Sequence, residues 1–202
     1  MAMPPHGATP DAVGDPPSVA AAPYRDAMAR LAGGVGLLTT RDPVGRDCGI
    51  TVTAVSSVSL DPPLVLVCVK RDGFIHDALY VASGWALTML ADDQVDLARY
   101  AARHRHPGDR DDFSRWPSRR GIDGVLVMTG GVSAIECVPH EFVDAGDHTV
   151  AIGRVVAVAD DVVGRNPLIY VDRDYHEIGQ PSPPRPRRPP AAPPHLDNDH
   201  VK

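Results

Sequence analysis

Along most of this chain the apolar residues fall in short, β-branched runs broken by Gly, Pro, Asp or Ser, and only a few stretches carry the spacing of a helical face. The stretch around which the others are arranged runs from Gly49 to Val69. Thr51, Val52, Thr53, Ala54 and Val55 form a β-prone run, Ser56, Ser57 and Ser59 follow, and the double proline Pro62-Pro63 precedes a second apolar run. This reads as strand, polar turn, strand. Val35–Thr39 reads as the strand before it, joined through the polar turn Arg41–Asp47. Trp85–Leu90, Val125–Met128, Val132–Val138, Thr149–Ala159 and Leu168–Val171 read as later strands.

Helical spacing is rarer. Tyr24, Ala27, Met28 and Leu31 stand at i, i+3, i+4 and i+7, which predicts a helix with one buried stripe, ended by Gly33-Gly34. Gly73–Ala82 predicts a short helix. Val95, Leu97, Ala98 and Ala101 supply the apolar positions of another, capped by Asp92 or its neighbour. Many short strands with few, early helices predict a mainly β fold with a barrel-like core.

Composition changes sharply at the two ends. Residues 1–22 mix Pro, Ala, Gly and Asp without periodicity, and residues 181–202 are dense in Pro with scattered Arg, so neither buries enough apolar surface to order itself. That leaves residues 23–180 as one domain, between a loose arm and an extended tail. Within it, Arg103–Arg120 crowds Arg, His and Asp around Phe113 and Trp116, which predicts an excursion loop serving as a lid or dimer contact. The net charge of −6 creates no basic field for nucleic acid, and no apolar run is long enough to span a bilayer. A protein of the cytoplasm with a small-molecule partner is expected. Cys48, Cys68 and Cys137 show no C-x-x-C pairing, so reduced thiols are expected rather than a zinc site or disulfide framework.

Candidate chemistry gathers at two places. The hydroxyls and backbone N–H groups around Thr51–Ser59 can hold a phosphate or the polar edge of a ring cofactor, although the same residues serve equally as solvated turn chemistry. His148, directly after the tight turn Gly146-Asp147, can donate a hydrogen bond or a proton near neutral pH, or can simply stabilise its turn. Lys70 or Arg71 can neutralise phosphate charge. Tyr170 and Tyr175 can line a site or a dimer interface, or serve as core-edge rings. His104 and His106 lie two apart but lack an evident third ligand, so no metal is expected. No G-x-G-x-x-G follows a strand, which argues against a Rossmann unit, and no nucleophile elbow is present.

The order of Tyr24-Arg25-Asp26-Ala27-Met28, Gly34-Val35, Gly49–Val69, Leu90-Ala91-Asp92-Asp93-Gln94, Gly146-Asp147-His148 and Leu168-Ile169-Tyr170 with Tyr175 resembles that of the flavin reductase-like family. The resemblance covers about Tyr24 to Ile178 and is to the small NAD(P)H:flavin oxidoreductase component of two-component flavin-dependent monooxygenases. It implies a homodimeric, FMN-binding split β-barrel with a few short flanking helices, using FMN, or FAD, with NADH or NADPH as co-substrate. Reduced flavin would pass to a separate oxygenase. A flavin-retaining oxidase or monooxygenase on the same barrel, or a non-catalytic flavin-binding protein, is the alternative. By the same resemblance Thr51, Thr53, Ala54, Val55, Ser56 and Ser57 contact the flavin; Cys68, Val69, Lys70 and Arg71, following the second strand, are further cofactor-binding candidates, with Lys70 or Arg71 neutralising phosphate charge. Thr88 stands where a small polar residue, often Asn, is usual. His148 lies beside flavin and nicotinamide as the catalytic residue, and Tyr170 and Tyr175 border the site. The chain departs from the family at Asp72-Gly73-Phe74-Ile75-His76, where a Ser/Thr-rich segment is common.

Overall fold

A computed structural model describes residues 17–103, 112–159 and 164–179. The first sixteen residues of the expected arm, His104, His106 and the Pro/Arg-rich tail lie outside the described residues. The chain begins with helix α1 (Ala21–Ala29), the two-residue strand β1 (Gly33–Gly34), β2 (Gly36–Arg41), β3 (Asp47–Val52), β4 (Val55–Leu60) and β5 (Pro63–Lys70). Helix α2 (Phe74–Val81), β6 (Trp85–Met89) and α3 (Val95–Ala101) follow, then β7 (Ser118–Arg120), β8 (Leu126–Met128), β9 (Ser133–Ala145) and β10 (His148–Ala159). A closing hairpin pairs β11 (Ile169–Val171) with β12 (Asp174–His176).

The main sheet is antiparallel and seven-stranded, in the order β3-β2-β6-β9-β10-β5-β4. Its two edge strands are neighbours in sequence, joined only by Thr53 and Ala54. The sheet is therefore rolled into a mainly β barrel split at that corner, as the sequence predicts. Antiparallel register alternates the faces: Val65, Val67 and Val69 of β5 and Thr149 and Ala151 of β10 are buried inside, with Trp85 and Leu87 of β6. Helix α2 closes one end of this interior with Ile75, Ala78 and Leu79. A second core, from Leu37, Leu90, Leu97, Ala98, Met128 and Leu168, fills the space between the sheet and α3.

Three expectations are corrected. Ser56, Ser57 and Ser59 lie within β4, and the turn falls instead at Asp61-Pro62, flanked by the Leu60–Pro63 pair. On an edge strand open to water a serine leaves no buried polar group, so β pairing prevails over the turn preference of Ser. The apolar stripe of α1 is exposed: the helix has no buried residue, and Tyr24, Met28 and Leu31 are 58%, 43% and 66% exposed. Phe113, expected in a lid or dimer contact, is 4% exposed in the second core, edge-on to Tyr100 at 5.7 Å between centroids. The α3 end differs in detail, since Gln94 Oε1 rather than Asp92 accepts a backbone hydrogen bond there, from Ala91 N–H at 3.0 Å. Cys48, Cys68 and Cys137 are free thiols, and burial pushes the Cys137 thiol up to about 12, leaving it protonated packing material.

Candidate functional site at the barrel split

A cleft of about 640 Å³ opens where β3 turns into β4. Thr53, Ala54 and Val55 form one side, Gly34 and Gly36 the floor, Leu87 and Met89 the inner wall, and Met28 of α1 with Leu31 just after it the outer wall. The corner is tied down by backbone bonds, with Val55 N–H donating to Thr53 O and Cys68 N–H to Ala54 O, each at 3.0 Å. Gly36 permits the close approach of β6, because a Cβ there would stand 2.7 Å from Leu87 Cδ1. At Gly34 nothing lies within 4 Å of that position, so a side chain would enter open space. The result is a mainly apolar slot with one hydroxyl at its rim, a form suited to a flat ring system that needs apolar cover and few directional partners.

The other sequence-derived candidates separate into distinct places. Thr51 donates to Ala98 O at 2.7 Å and so ties β3 to α3. Thr88 is buried and turned toward Met128 O at 3.5 Å, away from the cleft that its neighbours Leu87 and Met89 line. Strand alternation puts it there. Val69 points into the barrel core. Ser56, Cys68, Lys70 and His148 share the outer face of the β4–β5–β10 sheet by register, while Ser57 is exposed on the edge strand. Tyr170 and Tyr175 face each other across the closing hairpin, 5.1 Å between centroids, and pack on the second core. Burial, ahead of the neighbouring Tyr170, pushes the Tyr175 hydroxyl up.

At the outer-face site charges are already partnered. Lys70 Nζ lies 2.8 Å from Asp72 and Arg71 3.5 Å from Asp144, all well exposed. The ring of His148 meets Asp147 through Nδ1 at 2.8 Å, and this hydrogen bond, then the ring's charge, holds the Asp147 carboxyl below the usual range. His148 Nε2 is thereby directed away from its own turn. On the opposite, inner face, at the barrel end that α2 closes, lies a connected set that the sequence reading missed. His76 Nε2 lies 3.1 Å from Thr149 Oγ1, Thr149 donates to Asp144 at 3.2 Å, and His76 Nδ1 lies 3.2 Å from Asp77. Linear sequence separates His76 from Thr149 by seventy-three positions, so no motif spacing exposes the pair. The cleft residues Met28 and Leu31 were legible as an apolar stripe, but its assignment to the core hid their role.

The sequence profile of the flavin reductase like domain matches residues 28–179, most of the chain. This protein belongs to the flavin reductase-like family. Over 151 residues, 75% of this chain and 82% of the relative, it is 37% identical to the actinorhodin polyketide dimerase of Streptomyces coelicolor. It is also 34% identical to the NADH:riboflavin 5'-phosphate oxidoreductase of Streptomyces pristinaespiralis, over 79% of this chain and 89% of that protein. Among solved structures it is similar to the NADH:FAD oxidoreductase of Streptomyces globisporus in complex with NAD and FAD fragments, with a TM-score of 0.70, 27% identity, and coverage of 77% of this chain and 91% of that one. The family assignment agrees with the rolled, split sheet. Among the described residues no helix is long and apolar enough to cross a membrane, and no group of His, Cys, Asp and Glu could hold a metal ion.

Proposed function

We infer that this protein is an NADH:flavin oxidoreductase that reduces FMN or FAD and supplies the reduced flavin to a separate monooxygenase component. The observation that carries the reading is the apolar cleft at the Thr53–Ala54 corner of a flavin reductase-like barrel. Its volume falls within the roughly 300–1,000 Å³ of ordinary small-molecule sites. Bound together, nicotinamide and flavin would supply the hydride-transfer chemistry. The protein's residues bind and orient. Thr53 would offer a rim hydroxyl, Leu87 and Met89 would cover the ring, and the exposed Ser56, Ser57, Lys70 and Arg71 would serve the ribityl chain and phosphate. The FMN-named and FAD-named relatives support either flavin, and NADH is the donor in both names.

The decisive test is absorbance at the nicotinamide band with NADH or NADPH against FMN, FAD and riboflavin. NADH oxidation that depends on added flavin is expected. No flavin-dependent turnover with either nucleotide would overturn the reading. The polyketide dimerase relative favours one second reading, an organic substrate oxidised on the same barrel with flavin retained. Flavin that stays bound through purification and turns over only with such a substrate would select it.

His148 is proposed to orient the nicotinamide, its free Nε2 standing on the outer face beside Lys70. For His148→Ala, losing a hydrogen bond of about 1 kcal/mol and its alignment should lower single-turnover hydride transfer by roughly tenfold. The flavin dissociation constant should change less, since the cleft walls remain. Transfer at the parent rate would leave His148 as a turn stabiliser paired with Asp147.

A homodimer is proposed through the outer face of β5 and β10. Leu64, Leu66, Val150 and Ile152 form a contiguous, partly exposed apolar patch there, extended by Val143 at 43% exposure. A second copy is the occupant that the family resemblance implies, and this protein is proposed to work in the cytoplasm. Leu66→Glu combined with Ile152→Glu should give a folded monomer by analytical sedimentation. A dimer that persists in that variant would place the interface elsewhere.

A further inference from the structure

The outer wall of the cleft is its least secured part. Helix α1 buries no residue, and the cleft-lining Met28 on it and Leu31 just after it remain largely exposed, so apolar burial alone holds it weakly. Its polar attachment comes from one turn at the far end of the chain. The Asp172 N–H donates to Ala29 O at 2.6 Å, and the Arg173 guanidinium pairs with Asp26 on the helix. Asp172 and Arg173 are the two turn residues of the closing hairpin, at φ of 50° and 65°. Such a turn favours Asn-Gly, because an L side chain in the left-handed region crowds its own backbone. Here an arginine occupies the position where glycine would be free of strain, and its side chain ends on α1. Strain retained at a defined contact points to a role for that contact.

We propose that the Asp172–Arg173 turn is a clasp that holds α1 over the cleft and thereby sets flavin affinity, with Asp26 and Arg173 as positioning residues. This rests on the cleft being the flavin site. Neither residue lines the cleft, so the clasp acts through the placement of Met28 and Leu31. The pair is exposed on both sides, at 61% and 68% for the side chains, so its effect is modest and weakened by salt.

The test compares flavin dissociation constants by fluorescence titration with FMN and FAD, hydrogen exchange of α1 amides without flavin, and thermal melting. The variants are Arg173→Gly, Asp26→Arg and the exchanged pair Asp26→Arg/Arg173→Asp. Arg173→Gly is expected to melt at or above the parent temperature, because glycine relieves the turn, while weakening flavin about threefold and speeding exchange in residues 21–31. Asp26→Arg should weaken flavin about fivefold through repulsion, with turnover at saturating flavin within twofold of the parent. The exchanged pair should return affinity to within twofold. Single variants that bind flavin and exchange like the parent would overturn the clasp, as would an exchanged pair no better than Asp26→Arg. A parent that binds neither flavin would instead remove the flavin reading itself, and the clasp with it.

Discussion

Gly153→Ala is expected to lower the melting temperature by roughly 5–10 °C, the largest stability loss from any one-methyl change in the barrel. The Cβ it introduces would stand 2.2 Å from Trp85 Cζ2, 2.8 Å from Trp85 Cε2 and 2.9 Å from Cys137 Cβ. None of these can move cheaply. Trp85 and Cys137 are each 0% exposed within the same core, and Gly153 sits in a strand paired on both sides, with Val65 and Pro139. Overpacking of this kind costs about 1–3 kcal/mol or somewhat more, and about 2–4 °C is lost per kcal/mol for a chain of this length. Trp85→Leu removes the clashing ring, so the double variant Trp85→Leu/Gly153→Ala should be less destabilised than the sum of the two single changes. Melting curves for the three variants measure this. A Gly153→Ala protein that melts within about 1 °C of the parent, on the same scale, would mean that the Trp85 ring is not held against β10.

Ala54→Trp should abolish useful flavin binding while leaving the fold intact, the largest functional effect expected of a single substitution. Ala54 is exposed at the split, and its side chain borders the cleft rather than the core. An indole there occupies the space that a ring ligand would take and rests against the apolar side formed by Leu87 and Met89. Displacing that indole before flavin can enter costs about 2–3 kcal/mol, which corresponds to roughly 30–150-fold in the dissociation constant. NADH oxidation at ordinary flavin concentrations should fall in proportion and recover only partly as flavin is raised. The control is Val44→Trp, at a position 74% exposed on the β2–β3 turn, which should bind flavin as the parent does. Parent-like flavin affinity in Ala54→Trp would move the flavin away from this cleft.

The main elements were legible before any coordinates. The runs at Val35–Thr39, Trp85–Leu90 and Thr149–Ala159 all appear as strands within a residue or two of their ends, because alternating or continuous β-branched residues can bury a face only in a sheet. Gly73–Ala82 and the segment after Asp92 contain helices for the same local reason. The family resemblance singled out Thr53, Ala54 and Val55, and these three line the cleft at the β3–β4 corner.

Other features depended on partners far along the chain. Thr51 and Thr88 looked like neighbours of Thr53 in chemistry, yet the pleat turns Thr88 toward Met128, and Thr51 is spent on Ala98 forty-seven positions away. The serines of β4 could not reveal that theirs is the edge strand, and edge position is what makes their hydroxyls harmless. The stripe of α1 has the spacing of a buried face, but spacing carries no information on whether another element arrives to cover it. In this fold the turn at Asp172–Arg173 reaches the helix by its polar atoms and leaves Met28 and Leu31 facing a cleft. Local periodicity thus determined which segments are strands and helices, because that preference is set by each residue's own backbone and nearest neighbours. Which side chains face the cleft, the core or water was decided by the tertiary structure, because that depends on sheet order and register between residues that the sequence keeps far apart.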